Sequence, residues 1–102
     1  MGFRIVKCVN TRIERLKDAI ALGHNCRAEH VRSVPVFEKF RERKPWEGIV
    51  EVFDLVGSHE AGRCYGWTFR ERGIDQNVIL LQQGAVTSPN SAVRVAIARG
   101  LQ

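Results

Sequence analysis

The sequence predicts an α+β fold, a four-stranded antiparallel sheet with a helix at each end of the chain. Three observations carry this. The stretch Trp46–Gln83 holds three runs rich in branched and aromatic residues, separated by Gly-bearing gaps of hairpin size. A segment before them and a segment after them carry apolar residues at helical spacing. At 102 residues and 11.6 kDa the chain forms one domain, residues 1–102, with no room for a second.

Phe3–Val9 alternates imperfectly and reads as a short edge strand or a packed lead-in. Thr11-Arg12-Ile13-Glu14 fits a capping box, in which Thr hydroxyl and Glu carboxylate satisfy amides at a helix start. Ile13, Leu16 and Ile20 follow at helical spacing, so a helix is expected from about Arg12 to Leu22, stopped by Gly23. Glu29–Glu38 is expected as a strand. Pro35 lacks an amide donor and places it at the sheet edge. A helix over Val36–Arg43 is the alternative, closely bracketed by Pro35 and Pro45. The chain then turns through Arg41–Pro45.

Trp46–Val56 is the clearest strand. Ile49, Phe53 and Leu55 point one way and Val50, Val52 and Val56 the other, a pattern that suits a central strand covered on both sides. Glu51 interrupts one face and Asp54 the other. Arg63–Arg70 alternates large residues (Tyr65, Trp67, Phe69) with thin ones (Cys64, Gly66, Thr68), and Gly66 permits close approach by a neighbour. Glu71–Asp75 turns the chain into a last strand, Gln76–Gln83. Ser88 as N-cap and Pro89 in the first turn open a helix with Val93, Ala96 and Ile97 as its stripe and Gly100 as its end. Short connections favour a meander with both helices on one face. The other apolar face then needs a cover, for which a second copy in a two-fold dimer is the expected one.

Three cysteines, Cys8, Cys26 and Cys64, argue against a disulfide framework and for a reducing, cytoplasmic setting. The N-terminus does not read as a signal peptide, and no apolar run approaches a membrane span. The whole surplus of +5 lies before Ile49. Up to Gly48 there are eleven Lys or Arg against six Asp or Glu, and from Ile49 onward five against five.

Trp46–Leu55, running on through Gly57, His59, Ala61, Tyr65 and Trp67, resembles a group of small bacterial proteins of unassigned function. The Ser88-Pro89 helix with Ala92-Val93-Arg94 extends the likeness to about Trp46–Gln102. The resemblance implies a bacterial origin and no activity. More distantly, the element order resembles double-stranded RNA-binding domains, whose second helix opens with a Lys-rich run. Ser88-Pro89-Asn90-Ser91 holds no Lys, so that family's phosphate grip is absent.

Four constellations bear on chemistry. His24, Cys26 and His30 are zinc-type ligands, but their spacing is not a recognised zinc motif and no metal is expected. Cys64, His59 and Asp54 have the residue types of a thiol nucleophile, base and orienter, yet Cys64 sits inside a strand, where nothing lowers its pKa. No catalytic residue and no cofactor is therefore assigned, and the chain leans toward a non-enzyme. Glu51 or Asp54 with Trp46, Tyr65 and Trp67 would make an apolar cleft with one acid, suited to an aromatic or cationic ligand. The competing expectation pairs Glu51 and Asp54 with Arg63 and Arg70. Finally, Arg27, Arg32, Lys39, Arg41, Arg43 and Lys44, with Phe37, Phe40 and Trp46 nearby, are the ingredients of a single-strand nucleic-acid platform. The reading favoured by the sequence is a homo-oligomeric interaction or ligand-binding module, with nucleic-acid binding through residues 27–44 as the alternative.

Overall fold

The computed structural model describes residues 11–101, so the expected strand Phe3–Val9, and Cys8 with it, lies outside the described residues. The element order is α1 (Thr11–His24), β1 (Arg27–Glu38), β2 (Trp46–Val56), β3 (Arg63–Glu71), β4 (Ile74–Leu81) and α2 (Pro89–Ala98). The four strands form one antiparallel sheet in the order β1-β2-β3-β4, as the hairpin-sized gaps require. Glu29–Phe40 is thus mainly strand, with Pro35 on the edge.

The helices do not share a face. This corrects the expected arrangement. Leu16 and Ile20 of α1 pack with Ala28, Phe53, Leu55 and Cys64 on one side of the sheet. Ala92, Val93 and Ala96 of α2 pack with Val36, Val50, Val52, Tyr65, Trp67, Val78 and Leu80 on the other. The physical reason lies in β2, whose two faces are both apolar and both buried at Val50, Val52 and Phe53. One helix per face removes more apolar surface from water than two on one face. Because α1 precedes one edge strand and α2 follows the other, no connection ties them to the same side.

Local chemistry accounts for the boundaries. Gly23 does not end α1. The left-handed position falls to Asn25 (φ 51), after Asn25 N–H donates to Ala21 O at 3.0 Å. The turn between β3 and β4 needs only Arg72 (φ 54) and Gly73 (φ 77), the paired positive φ values of a tight hairpin, so β4 starts two residues before the expected Gln76. Ser88 caps α2 as expected. Its hydroxyl accepts from Ser91 N–H at 3.1 Å, while Ser91 Oγ accepts from Ser88 N–H at 2.9 Å, so Ser91 takes the reciprocal role usual for Glu or Gln. At the far end Gly100 N–H donates to Ile97 O and Leu101 N–H to Ala96 O, closing the helix with Gly100 at φ 77.

Two departures from a regular sheet position the functional surface. A bulge between His30 and Arg32 leaves Val31 unmatched and resets which side chains face α1. Pairing between β2 and β3 is confined to Glu51–Asp54 opposite Gly66–Arg63. Beyond Glu51 the β1–β2 pair continues as a two-stranded arm to the turn 39–45, and the molecule measures 53 × 33 × 22 Å. Gly66 sits at this junction, where an added Cβ would stand 3.3 Å from Leu16 Cδ2 and from Val78 O. The expected close approach is α1 itself.

Candidate functional site

The α1 side of the sheet holds a buried carboxylate. Glu51 is 0% exposed. The bulge at Val31 turns His30 and Ser33 onto its face, although three residues apart in a regular strand they would point to opposite sides. His30 Nε2 lies 2.8 Å from Glu51 Oε1, and Ser33 Oγ donates to the same oxygen. Arg12, in the first turn of α1, brings Nη2 to 3.7 Å from Glu51 Oε2. The expected pairing of Glu51 with Arg63 or Arg70 is therefore replaced by Arg12, His30 and Ser33. Asp54 does pair as expected, with Arg63 Nε at 3.0 Å. Both Ser33 and His30 bond the carboxylate rather than each other, so one oxygen of a buried acid gathers a hydroxyl and an imidazole on this face of the sheet.

The cleft residues read from the sequence do not meet in one cavity. Trp46, Tyr65 and Trp67 lie on the α2 side, with the Trp46 and Trp67 rings edge to face at a centroid distance of 5.4 Å. Asp54 shares that side, and Glu51 lies on the opposite one. Tyr65 is buried, and its hydroxyl donates to Gln82 Oε1 at 2.9 Å.

Cys64 is buried on the α1 side, across the sheet from Asp54. Burial, with a smaller contribution from the neighbouring Cys26, pushes its thiol up to about 12 from an ordinary value of 9.0. An unfolded thiol ionises above about 9 while the folded one keeps its proton to about 12, so this stabilisation is full below pH 9 and fades as pH rises toward 12. Urea midpoints measured at pH 7 and pH 10 should drop further for the wild type than for Cys64→Ala; equal drops would contradict the assignment. His24 and His30 are each taken by a different carboxylate, His24 Nδ1 lying 3.3 Å from Glu60 Oε1.

The six cations read as a nucleic-acid set divide. Arg27 is at the far end of β1, about 40 Å along the strand from the tip, and pairs with Glu29 at 2.9 Å. Arg32 is mid-strand, opposite Val52. Lys39, Arg41, Arg43 and Lys44 gather on the turn that closes the arm, with Glu42 as the sole acid of residues 39–45, a local net charge of +3. Seven other Lys or Arg side chains lie within 3.9 Å of a carboxylate. The four tip cations make no ion pair among the described residues. Of the three aromatics expected beside them, Phe40 packs against the α2-side core with Arg43 over its ring at 5.8 Å, and Trp46 packs on Trp67. Phe37 alone stays open, 52% exposed.

No helix among the described residues is long and apolar enough to cross a membrane. The chain matches no family model, no curated protein and no solved structure.

Proposed function

We propose that this is a non-enzymatic binding module of the bacterial cytoplasm whose working end is the tip of the β1–β2 arm and whose ligand is a polyanion, nucleic acid foremost. The observation that carries the reading is the set of cations at Lys39, Arg41, Arg43 and Lys44, without an ion pair among the described residues, at the end of an arm stiffened by two strands of 12 and 11 residues. Unneutralised charge gathered at one projecting point is a phosphate-contacting feature, and its solvation outside a complex costs little.

The test is fluorescence anisotropy with a labelled oligonucleotide between 50 and 200 mM salt. Four phosphate contacts release enough counterions to weaken single-strand binding about fifty-fold over that range. Changing Lys39, Arg41, Arg43 and Lys44 together to Gln should flatten the dependence. A wild-type isotherm insensitive to salt, or a quadruple variant that binds as the wild type does, sinks the proposal.

A homo-oligomer is the second reading, favoured by Phe37, Ile49 and Ile74, which stay substantially exposed. The bare apolar sheet face that the sequence predicts for it is covered, with one helix packed on each side of the sheet. Solution mass by light scattering behind gel filtration distinguishes a dimer from a monomer.

A further inference from the structure

Beside the basic tip, on the α1 side of the arm, lies an open groove of about 220 Å³ lined by Pro35, Val36, Phe37, Glu47, Gly48 and Ile49. Register pairs Pro35 with Ile49 and Phe37 with Glu47, so these four line one face, continuing the row that begins with Ser33 and Glu51. The floor is apolar, with Phe37 as its exposed aromatic wall. The volume is below the roughly 300–1,000 Å³ typical of a drug-sized ligand's pocket and suits a single flat ring system.

Three occupants compete, and the charge pattern separates them. A second copy seated here would bring two tips of +3 toward each other. It could not add cleanly as a strand either, because Pro35 offers no donor to the free edge of β1 and the bulge at Val31 distorts it. A duplex presents phosphates and groove edges to a protein and keeps its bases stacked, so an apolar groove beside the cations would go unused. A single strand presents both chemistries at once, phosphates for the cations and an unstacked base for the aromatic. Glu47 lines the same groove and repels a phosphate there, so the base enters and its backbone lies toward the tip.

Resting on the polyanion reading, we infer that the arm binds single-stranded nucleic acid, with one base stacked on Phe37 between Pro35 and Ile49 while the tip cations hold the flanking phosphates. Phe37 thereby supplies the base-dependent part of affinity, and Lys39, Arg41, Arg43 and Lys44 the salt-dependent part.

The experiment compares an intact single-stranded oligonucleotide with an abasic one of equal length and charge, against wild type, Phe37→Leu and Phe37→Trp. Phe37 is half exposed, so neither variant threatens folding. Loss of one stacked base costs about ten-fold in affinity. Phe37→Leu should therefore bind the intact strand about ten-fold more weakly with an unchanged salt slope, Phe37→Trp should retain binding, and all three proteins should bind the abasic strand alike. Equal binding of intact and abasic strands by the wild type overturns the stacking inference and leaves the polyanion reading standing. Salt-independent or absent binding to both strands fails the polyanion reading itself. Tighter binding to a duplex of the same sequence, or equal binding to phosphatidylserine vesicles, also overturns the single-strand assignment.

Discussion

Replacing His30 with Leu is expected to lower the unfolding free energy by about 3 kcal/mol at neutral pH. Glu51 is wholly buried, and its Oε1 depends on two partners, His30 and Ser33. Removing one partner leaves a buried carboxylate undersatisfied, and breaking such a pair costs about 3–5 kcal/mol. The lower end applies because the His30 side chain is 26% exposed, which lets water replace part of what is lost. The opposite behaviour is expected when both Glu51 and His30 go. With Glu51→Leu and His30→Leu combined, no buried carboxylate remains, the Arg12 guanidinium keeps its access to water at 44% exposure, and stability should return to within about 1 kcal/mol of the wild type or exceed it. Urea unfolding of the two single variants and the double variant closes the cycle. If His30→Leu alone cost less than about 1 kcal/mol, the carboxylate would be reaching solvent by another route.

The second large effect is at Trp67. The indole is 1% exposed at the centre of the α2-side core and carries the Trp46 ring edge to face on it. Truncation of a buried Trp to Ala removes transfer energy and leaves a cavity, about 3–5 kcal/mol together. Trp67→Ala should therefore leave a marginal fold, read as a lower urea midpoint and a large fall in melting temperature. Trp67→Phe should cost far less, about 1 kcal/mol. Trp67 Nε1 is buried with no hydrogen-bond partner among the described residues, so the smaller ring gives up volume but also removes an unsatisfied donor. A Phe variant as unstable as the Ala variant would mean that the Nε1–H makes an interaction worth more than its burial.

Much of this architecture was legible in the residues. Alternation in Trp46–Val56 announced a central strand buried on both faces. Ser88-Pro89 announced the second helix, and Pro35 an edge. What stayed hidden has physical causes. The bulge at Val31 carries no signal in composition, and without it His30 and Ser33 belong to opposite faces, so the cluster on Glu51 could not be assembled from spacing. The two-residue turn at Arg72-Gly73 uses an Arg at positive φ, a choice the strand context imposes against the residue's preference. The placement of the helices was decided by a comparison of buried areas that element order does not encode. For the candidate interface, the six cations of residues 27–44 were visible as a group. Which of them were free depended on carboxylates brought in from elsewhere, as Glu38 is drawn to Arg94 at 2.9 Å and Asn90 at 2.7 Å rather than to the tip.

The short seam between β2 and β3 has a mechanical meaning. The paired stretch Glu51–Asp54, with one further bond from Leu55 N–H to Gly62 O at 2.9 Å, joins the ribbon β1–β2 to the ribbon β3–β4. The helices span that joint from opposite sides, α1 touching β1, β3 and β4, and α2 touching β1, β2 and β4. The angle at which the arm leaves the body is thus set by side-chain packing under two struts more than by backbone ladders. Leu16 against Gly66 on one side and Trp46 against Trp67 on the other act as the pins of that joint, so the aim of the basic tip is fixed by residues that never touch what it meets.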